Sequence, residues 1–205
     1  ETGYFRNADT VYIHNLILFL EKNRIAAGLE DLRITTEGTH WSGIVNNGGT
    51  PDMIFQFSVP LVDIEIGSTQ SSWSNPLASK VIAHALIDFF NGTGKKLKNL
   101  LCVGGVHFEP AFAAAVLQTW VDNAFGISHI LPNHWLVSGH YELEDGLVKL
   151  ENCIKSIKGG IDGIVFHDNL KGAYKEQLRL LGKKYNVPVF KHQLLRRPLE
   201  IQWNR

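Results

Sequence analysis

Apolar residues in this chain recur with two spacings that alternate along its length. One segment begins at Asn75-Pro76, a typical helix start, and its apolar residues recur four apart on one face: Leu77, Val81, Ala85 and Phe89. Other runs are short and continuously apolar, as in strands buried on both faces; Leu100 to Val103 is the clearest. The alternation of helical and strand patterns along the chain predicts an α/β protein.

The same patterns predict the individual elements. Helices are expected at 10–27, with Asp9 as the N-cap, from Pro76 to Gly92 or Gly94, and at 110–123, 145–158 and 174–185. Strands are expected at 32–36, 99–103, 127–131, 161–166 and 187–190, with a long strand or hairpin at 53–66 and a loop at 38–52. The predicted fold is a mixed, mostly parallel sheet with helices on both faces, in one domain over residues 1–205.

Composition excludes some partners and leaves others open. The chain has 205 residues, 20 Lys plus Arg and 20 Asp plus Glu, so its formal net charge is zero. Nucleic acid would therefore have to bind to a local basic patch, such as the one formed near the C-terminal end by Lys183-Lys184, Lys191 and Arg196-Arg197. Cys102 and Cys153 lie in apolar patterns and are expected to be buried free thiols.

Targeting signals are sparse. We find no signal peptide and no apolar stretch long enough to span a bilayer, so a cytoplasmic protein is expected. Asn91-Gly92-Thr93 is a glycosylation sequon that matters only in a secreted chain. Glu1-Thr2-Gly3 is typical of a cloning remnant, so the natural start is expected upstream.

Histidines lie where predicted strands end. His40, His107, His129 and His167 each follow or interrupt a strand, and strand ends beside a change of topology form the ligand crevice of an open α/β sheet. Imidazoles gathered there indicate proton transfer, a metal ion, or both. The alternatives are that His40 is a turn residue bonded to backbone and that His129 is a half-buried core residue. The chain has no HExxH motif, so metal ligands would come from separate loops.

Two other segments are candidates for a site. Gly104-Gly105 separates a strand from a helix, which is typical of either a tight turn or a close approach to a ligand. Glu65 interrupts an apolar run, so we expect its carboxylate to be paired or bonded to backbone N–H. Ser68 and Thr69 either cap the next helix or hold a substrate carbonyl or phosphate.

Several motifs occur together in a recognisable order. They are Glu37-Gly38-Thr39-His40-Trp41-Ser42-Gly43, Glu65-Ile66-Gly67-Ser68-Thr69 with Trp73, Gly104-Gly105-Val106-His107-Phe108-Glu109-Pro110, His129-Ile130-Leu131-Pro132, and His167-Asp168-Asn169-Leu170-Lys171-Gly172. Together they resemble the archaeal and plant type of D-aminoacyl-tRNA deacylase, whose segments look like E-A-T-H-H-G-P, E-I-G-S-T-x-x-x-W, G-G-G-H-Y-A-P and G-H-I/L-L/P. The resemblance runs from about Asp9 to Gly172.

The chain departs from the family pattern in three places. The family's first portion, with S-R-H and H-x-x-G-N segments, is absent. Trp41 replaces the second His of T-H-H, and Val103 and Val106 flank Gly104-Gly105 where the family has G-G-G-H. The chain therefore resembles a divergent or N-terminally truncated member.

The resemblance implies a hydrolase that cleaves the ester between a D-amino acid and the 3′ end of tRNA. It implies catalytic roles for His40, His107, His129 and Glu65, and substrate contacts from Thr39, Gly67, Ser68, Thr69, Gly104, Gly105 and Lys171. Zinc is the cofactor that the family implies. The alternative is a binding or interaction module that kept the fold and lost the chemistry, with a protein or the missing N-terminal segment as its partner. Because part of the pocket wall is missing, we expect weak or no deacylase activity from this chain alone.

Overall fold

Five strands form one sheet in the computed structural model, which describes residues 3–40, 57–92 and 94–203. They are β1 (Lys96–Val103), β2 (Thr119–Trp120), β3 (Asn123–Leu131), β4 (Gly163–Phe166) and β5 (Val189–Lys191). Their order across the sheet is β2-β3-β1-β4-β5. The pair β2–β3 is antiparallel and the other three pairs are parallel, which confirms the predicted mixed, mostly parallel sheet.

The order of the strands creates a switch point at the central strand, β1. From β1 the chain passes to β3 on one side and then crosses back to β4 on the other. Since β1, β3, β4 and β5 are parallel, their carboxyl ends meet at one edge of the sheet. The crevice beside the end of β1 is where ligands bind in folds of this kind.

Seven α-helices occur in the part of the chain that the structure describes: α1 (Thr10–Ala26), α2 (Gln70–Trp73), α3 (Pro76–Asp88), α4 (Pro110–Val116), α5 (Asn133–Ser138), α6 (Gly146–Lys155) and α7 (Gly172–Tyr185). Capping follows the sequence expectation, because the side chains of Asp9 and Asn75 accept backbone N–H groups at the starts of α1 and α3. No helix among these residues is long and apolar enough to cross a bilayer.

Alternate residues of β1 face two separate cores. Leu101 and Val103 pack with α6 and α7 on one face of the sheet. Leu100 and Cys102 pack with α1 and α4 on the other. Burial on both faces explains why the second half of β1, Leu100 to Val103, is continuously apolar, and Cys102 is a buried free thiol as expected.

A bulge in β3 reverses which side chains face which core. Leu100 of β1 pairs with Ile127, but Leu101 pairs with His129, so Ser128 is an extra residue in β3. Ile127 therefore faces the core with α1 and α4, while His129 pairs with Leu101, whose side chain faces α6 and α7.

The expected strand at 32–36 is wrong. These residues form no strand, although the segment that follows them docks on β3 through the hydrogen bond from Thr39 N to Ile130 O, 2.8 Å long. The short strand β2 covers only Ala124 and Asn123 of β3, so the edge of β3 farther along is free to accept Thr39. A single backbone contact of this kind leaves no strand-like pattern in the sequence.

The expected long strand or hairpin at 53–66 is also wrong for residues 57–66, which form neither. Residues 53–56 lie outside the described residues. The same holds for residues 41–52 of the expected loop. The expectation rested on alternating apolar residues that include Phe57 and Val59, and both are exposed, so this alternation does not mark a buried face. An alternating pattern predicts a strand only where a sheet buries its apolar side, and the five-stranded sheet does not reach this segment.

The expected helix at 110–123 ends at Val116 instead. Thr119 and Trp120 pair with the start of β3, and Val121 takes a positive φ of 50° to make the turn. The antiparallel hairpin therefore replaces the last two turns of the expected helix. The other predicted helices and strands are confirmed, with ends displaced by a few residues.

Candidate active site

Two imidazoles share one carboxylate oxygen at the switch point. Nε2 of His40 and Nε2 of His107 each lie 2.7 Å from Oε1 of Glu37. Their rings stack with centroids 5.7 Å apart and planes 28° from parallel. The three side chains, which we call the Glu37 cluster, are partly exposed, so water and a ligand can reach them.

Charge within the Glu37 cluster favours ionised forms. Burial opposes ionisation of Glu37, but hydrogen bonds from His40 and His107 outweigh it and lower the pKa of the carboxyl group. The hydrogen bond to Glu37 raises the pKa of His40, and the nearby charges of Asp63 and Glu65 raise it further. His40 is therefore a stronger base than an isolated imidazole.

Backbone contacts hold the Glu37 cluster together. Gly38 N donates to His107 O at 2.6 Å, beside the bond from Thr39 N to Ile130 O. A Cβ on Gly38 would lie 2.8 Å from Cγ of Pro132 and 2.9 Å from Nδ1 of His107. Only glycine allows this approach, so Gly38 brings Glu37 and His40 against the end of β1.

The donor set of the Glu37 cluster suits a metal ion. One carboxylate oxygen and two imidazole nitrogens lie within 4.8 Å of one another. Two His and one Glu are a common ligand set for catalytic zinc, which leaves a fourth position for water or substrate. Nδ1 of His107 is buried and has no hydrogen-bond partner among the described residues.

Other aromatic side chains border the cluster. The ring centroid of Phe108 lies 4.9 Å and that of His134 5.5 Å from that of His107. Partial burial, followed by the charge of His107, lowers the pKa of His134. His134 thus favours its neutral form beside the cluster.

A cavity of about 490 Å³ opens beside the cluster. Apolar side chains of α1 and α3, including Leu16, Leu20 and Val81, line its inner part. Its polar part holds six of the site residues predicted from the sequence: Thr39, His40, Glu65, Gly67, Ser68 and His129.

His129 is buried behind the Glu37 cluster, between Thr39 and Ser156. It is 4% exposed, Nδ1 is 3.2 Å from Oγ1 of Thr39, and Nε2 is 3.0 Å from Oγ of Ser156. Burial lowers the pKa of His129 to about 4, although a hydrogen bond to the backbone of Arg6 opposes the shift. His129 is therefore neutral at physiological pH.

The Gly67-Ser68-Thr69 segment directly precedes helix α2. Thr69 caps α2 through a 3.3 Å hydrogen bond from Ser72 N, as the capping alternative for this residue predicts. Nε1 of Trp73 donates to Gly67 O at 3.0 Å, which explains the spacing of Gly67 and Trp73. Ser68 lines the cavity, and its N–H donates to no group in the described chain.

The expected partner of Glu65 is not found among residues 3–40, 57–92 and 94–203. Glu65 is exposed and makes no hydrogen bond or ion pair with them. Because 57–66 is not a buried strand, the carboxylate is solvated and needs no partner. It still acts at a distance, by raising the pKa of His40.

Gly104 and Gly105 form a turn at the end of β1, with φ angles of +94° and +77°. Gly105 N donates to Oδ1 of Asn169 at 3.3 Å, and Glu109 accepts from Val106 N at 3.2 Å. Beyond this turn, His167 stacks on His192 with centroids 4.1 Å apart. The turn thus separates the Glu37 cluster from a second pair of histidines at β4 and β5.

Lys171 and two further histidines lie outside the Glu37 cluster. Lys171 is exposed at the start of α7, outside the residues that line the cavity. His14 is a buried core residue whose Nδ1 lies 3.1 Å from Phe125 O, and His84 is exposed on α3.

Glu37 is the site residue that the sequence reasoning missed. It stands three residues before His40 and opens the first motif, so its i, i+3 spacing to a histidine was the available signal. The role of His134 is ambiguous in the sequence, because its approach to His107 depends on how α5 packs.

Comparisons with known proteins show the family of this chain. A family model described as D-aminoacyl-tRNA deacylase matches residues 2–190. The D-aminoacyl-tRNA deacylase of Thermoplasma volcanium is 29% identical over 117 residues, which are 57% of this chain and 37% of that protein. The deacylase of Pyrococcus horikoshii is 37% identical over 82 residues, covering 38% of this chain and 28% of the relative.

A solved structure shares the fold. The crystal structure of a conserved protein of unknown function, AF0625, superposes with a TM-score of 0.75 at 19% identity, covering all of this chain and 63% of that one. This chain thus corresponds to part of its longer relatives. Because the family model matches most of its residues, the chain belongs to the D-aminoacyl-tRNA deacylase family.

Proposed function

We propose that this chain carries the hydrolytic site of a D-aminoacyl-tRNA deacylase, which cleaves the ester between a D-amino acid and the 3′ end of tRNA. The observation that supports it most is the carboxylate oxygen of Glu37 shared by His40 and His107, beside an open cavity at the switch point. The two imidazoles and the carboxylate of the Glu37 cluster are all present and in contact, which favours hydrolysis over a binding module that has lost the chemistry.

His40 is the proposed general base. Glu37 holds Nε2–H of His40, which leaves Nδ1 of the exposed ring to take a proton from the water that attacks the ester carbonyl. The same imidazolium then returns the proton to the departing 3′ oxygen of the tRNA. His107, fixed by the same oxygen, stabilises the carboxylate.

The N–H of Ser68 is the proposed donor to the developing oxyanion. Ser68 lines the cavity, and its N–H is not used by another described group. Gly105 N–H, the other donor suggested by the motif, already binds Asn169 and is less suited to that role. The apolar end of the cavity then receives the aminoacyl side chain.

Zinc fits the Glu37 cluster as well. Oε1 of Glu37 and Nε2 of His40 and His107 would hold it. A zinc ion there would supply Lewis-acid polarisation of the ester carbonyl.

Lys171 and Arg196 are proposed to contact tRNA phosphates. Both are exposed and form no ion pair with a described residue. Lys171 precedes α7 at the carboxyl ends of the strands, and Arg196 follows β5 at the same edge. With zero net charge overall, such local contacts are what nucleic-acid binding requires.

The test is deacylation of D-tyrosyl-tRNA by wild type, His40→Ala and His84→Ala. We expect hydrolysis above the spontaneous rate in wild type and in His84→Ala, because His84 is an exposed histidine on α3 and not part of the cluster. His40→Ala should lose about 100-fold or more in kcat. Equal rates for all three proteins would contradict the proposed role of the cluster.

A further inference from the structure

Thr39, His129 and Ser156 form one chain of hydrogen bonds behind the Glu37 cluster. Thr39 Oγ1 lies 3.2 Å from Nδ1 of His129, and Nε2 of His129 lies 3.0 Å from Ser156 Oγ. The chain links the segment that carries Glu37 and His40 to the end of α6, which Ser156 caps.

The Ser156 end determines the direction of the protons in this chain. Thr39 Oγ1 accepts Ile130 N–H at 2.9 Å and keeps one hydrogen and one lone pair, so it can either donate to His129 or accept from it. Ser156 Oγ lies 2.7 Å from Cys153 O, an acceptor, so the serine hydrogen points there. His129 must then accept from Thr39 at Nδ1 and donate to Ser156 from Nε2.

The opposite tautomer fails at one end. With the proton on Nδ1, Ser156 would have to donate to His129, and Cys153 O would face a serine oxygen without a hydrogen between them at 2.7 Å. With the proton on Nε2, the hydroxyls of Thr39 and Ser156 each have one defined role toward the ring; the backbone of Arg6, which also bonds the ring, lies outside this chain of side chains. Burial favours the neutral imidazole that this arrangement needs.

The bulge at Ser128 makes the chain of hydrogen bonds possible. With regular pairing, Ser128 would pair with Leu101, and His129 would face the same core as Ile127, on the α1 side of the sheet. With the bulge, His129 reaches Ser156 on the other side while its Nδ1 remains within reach of Thr39 at the edge of β3.

From these contacts we infer that His129 is a positioning residue and that it acts through Thr39. Its imidazole sets the position of Thr39, and Thr39 stands between Gly38 and His40 in the segment that presents Glu37 and His40 to His107. His129 is buried and has both ring nitrogens engaged by neutral side chains. It therefore reaches the reaction only through that segment and does not exchange a proton with substrate.

The first test is spectroscopic and independent of activity. The ¹⁵N shifts of the His129 ring, in uniformly labelled protein, should identify the neutral tautomer with its proton on Nε2. The Nδ1–H tautomer, or an imidazolium at neutral pH, would overturn the inference.

The second test uses Thr39→Val, which removes the hydroxyl and keeps the side-chain volume. Amide exchange at Gly38 and Thr39 should speed up about 10-fold or more, because the segment loses its anchor. Thr39→Ser should restore protection. Thr10→Val is the matched control, since Thr10 is a buried threonine whose Oγ1 has no partner in the described chain. Equal exchange in Thr39→Val and Thr10→Val would refute the positioning role.

The activity measurement rests on the proposed function. Thr39→Val and Ser156→Ala should lower kcat for D-tyrosyl-tRNA by about 10-fold with little change in KM, and Thr39→Ser should rescue it. A wild type without deacylase activity, combined with the expected tautomer and exchange results, would reject the proposed function and leave the positioning role standing. Unchanged kcat in both variants of an active enzyme would reject positioning for catalysis.

Discussion

The rings of His40 and His107 stack 5.7 Å apart although they come from different segments of the chain. Both imidazoles bind the same oxygen of Glu37, so the carboxylate fixes their separation. Two imidazoles bonded to one carboxylate in this way can transfer protons or bind a metal ion. Experiments can distinguish proton transfer from metal binding.

Glu37→Gln should disable both histidines at once. Loss of the negative charge removes the interaction that raises the pKa of His40, so that pKa should fall toward the ordinary value for histidine. NMR titration of the His40 ring measures this directly. The control is Glu65→Gln, which removes a more distant charge and should lower the pKa of His40 less. A larger effect from Glu65→Gln would show that Glu37 is not the main partner.

Stability should depend on pH through His129. The pKa of His129 is about 4 in the folded protein and near 6.5 when unfolded, so the unfolded state binds more protons between these values. Stability should therefore fall as pH drops from about 6.5 to about 4, by about 3 kcal/mol from this one residue. Denaturant unfolding of wild type and His129→Asn measures it. The variant should lose less stability over that range; identical slopes would contradict the low pKa.

Gly105→Ala should disturb the turn before His107 more than backbone strain alone explains. Gly105 has φ +77°, and an added Cβ would lie 2.5 Å from Oε2 of Glu109. Gly160→Ala is the matched control, with φ +73° and nothing within 4 Å of its Cβ. Each substitution should cost about 1–3 kcal/mol of unfolding free energy for strain, with Gly105→Ala the larger. Equal losses would show that Glu109 moves aside freely.

Zinc content separates the two uses of the cluster. If Glu37, His40 and His107 hold zinc, protein purified without chelator should contain about one ion per chain. His107→Ala should lower that content, and His84→Ala should not, because His84 lies outside the cluster. Elemental analysis that finds equal zinc in both variants would place any metal elsewhere.

Lys171→Glu and Arg196→Glu should weaken tRNA binding and reduce its dependence on salt. The slope of log K against log salt should change by about one unit for each tRNA phosphate that the variant no longer neutralises. Lys183→Glu is the control: the sequence grouped Lys183 with Arg196 in one basic patch, but Lys183 lies in the last turn of α7, at the end opposite Lys171. Filter binding over a range of salt concentrations makes the comparison. A similar weakening by Lys183→Glu would indicate a general charge effect.

The sequence predicted the sheet class and most helices because their signals are local. Asn75-Pro76 marks a helix start by its own chemistry, and the apolar run of β1 reflects burial on both faces. The sequence-based prediction failed where contacts between distant parts of the chain determine the secondary structure. The segment before His40 lacks a strand because only Thr39 meets β3, and helix α4 stops early because Thr119 and Trp120 form a hairpin instead.

The candidate site was predictable in part for the same reason. Histidines at strand ends were visible in sequence, and the fold places His40 and His107 together. The separate burial of His129 was not visible, because it depends on the bulge at Ser128, a change of register that no residue type announces. A partner for Glu65 is expected only in a buried strand, and its segment forms none.

Deacylation kinetics with the two enantiomers test the central claim, that the Glu37 cluster hydrolyses a D-aminoacyl ester. The measurement compares D-tyrosyl-tRNA with L-tyrosyl-tRNA for wild type and Glu37→Gln. We expect slow but measurable hydrolysis of the D-ester by wild type, faster than that of the L-ester, and a loss of about 100-fold or more in Glu37→Gln. D-selective hydrolysis that survives Glu37→Gln unchanged would contradict the account.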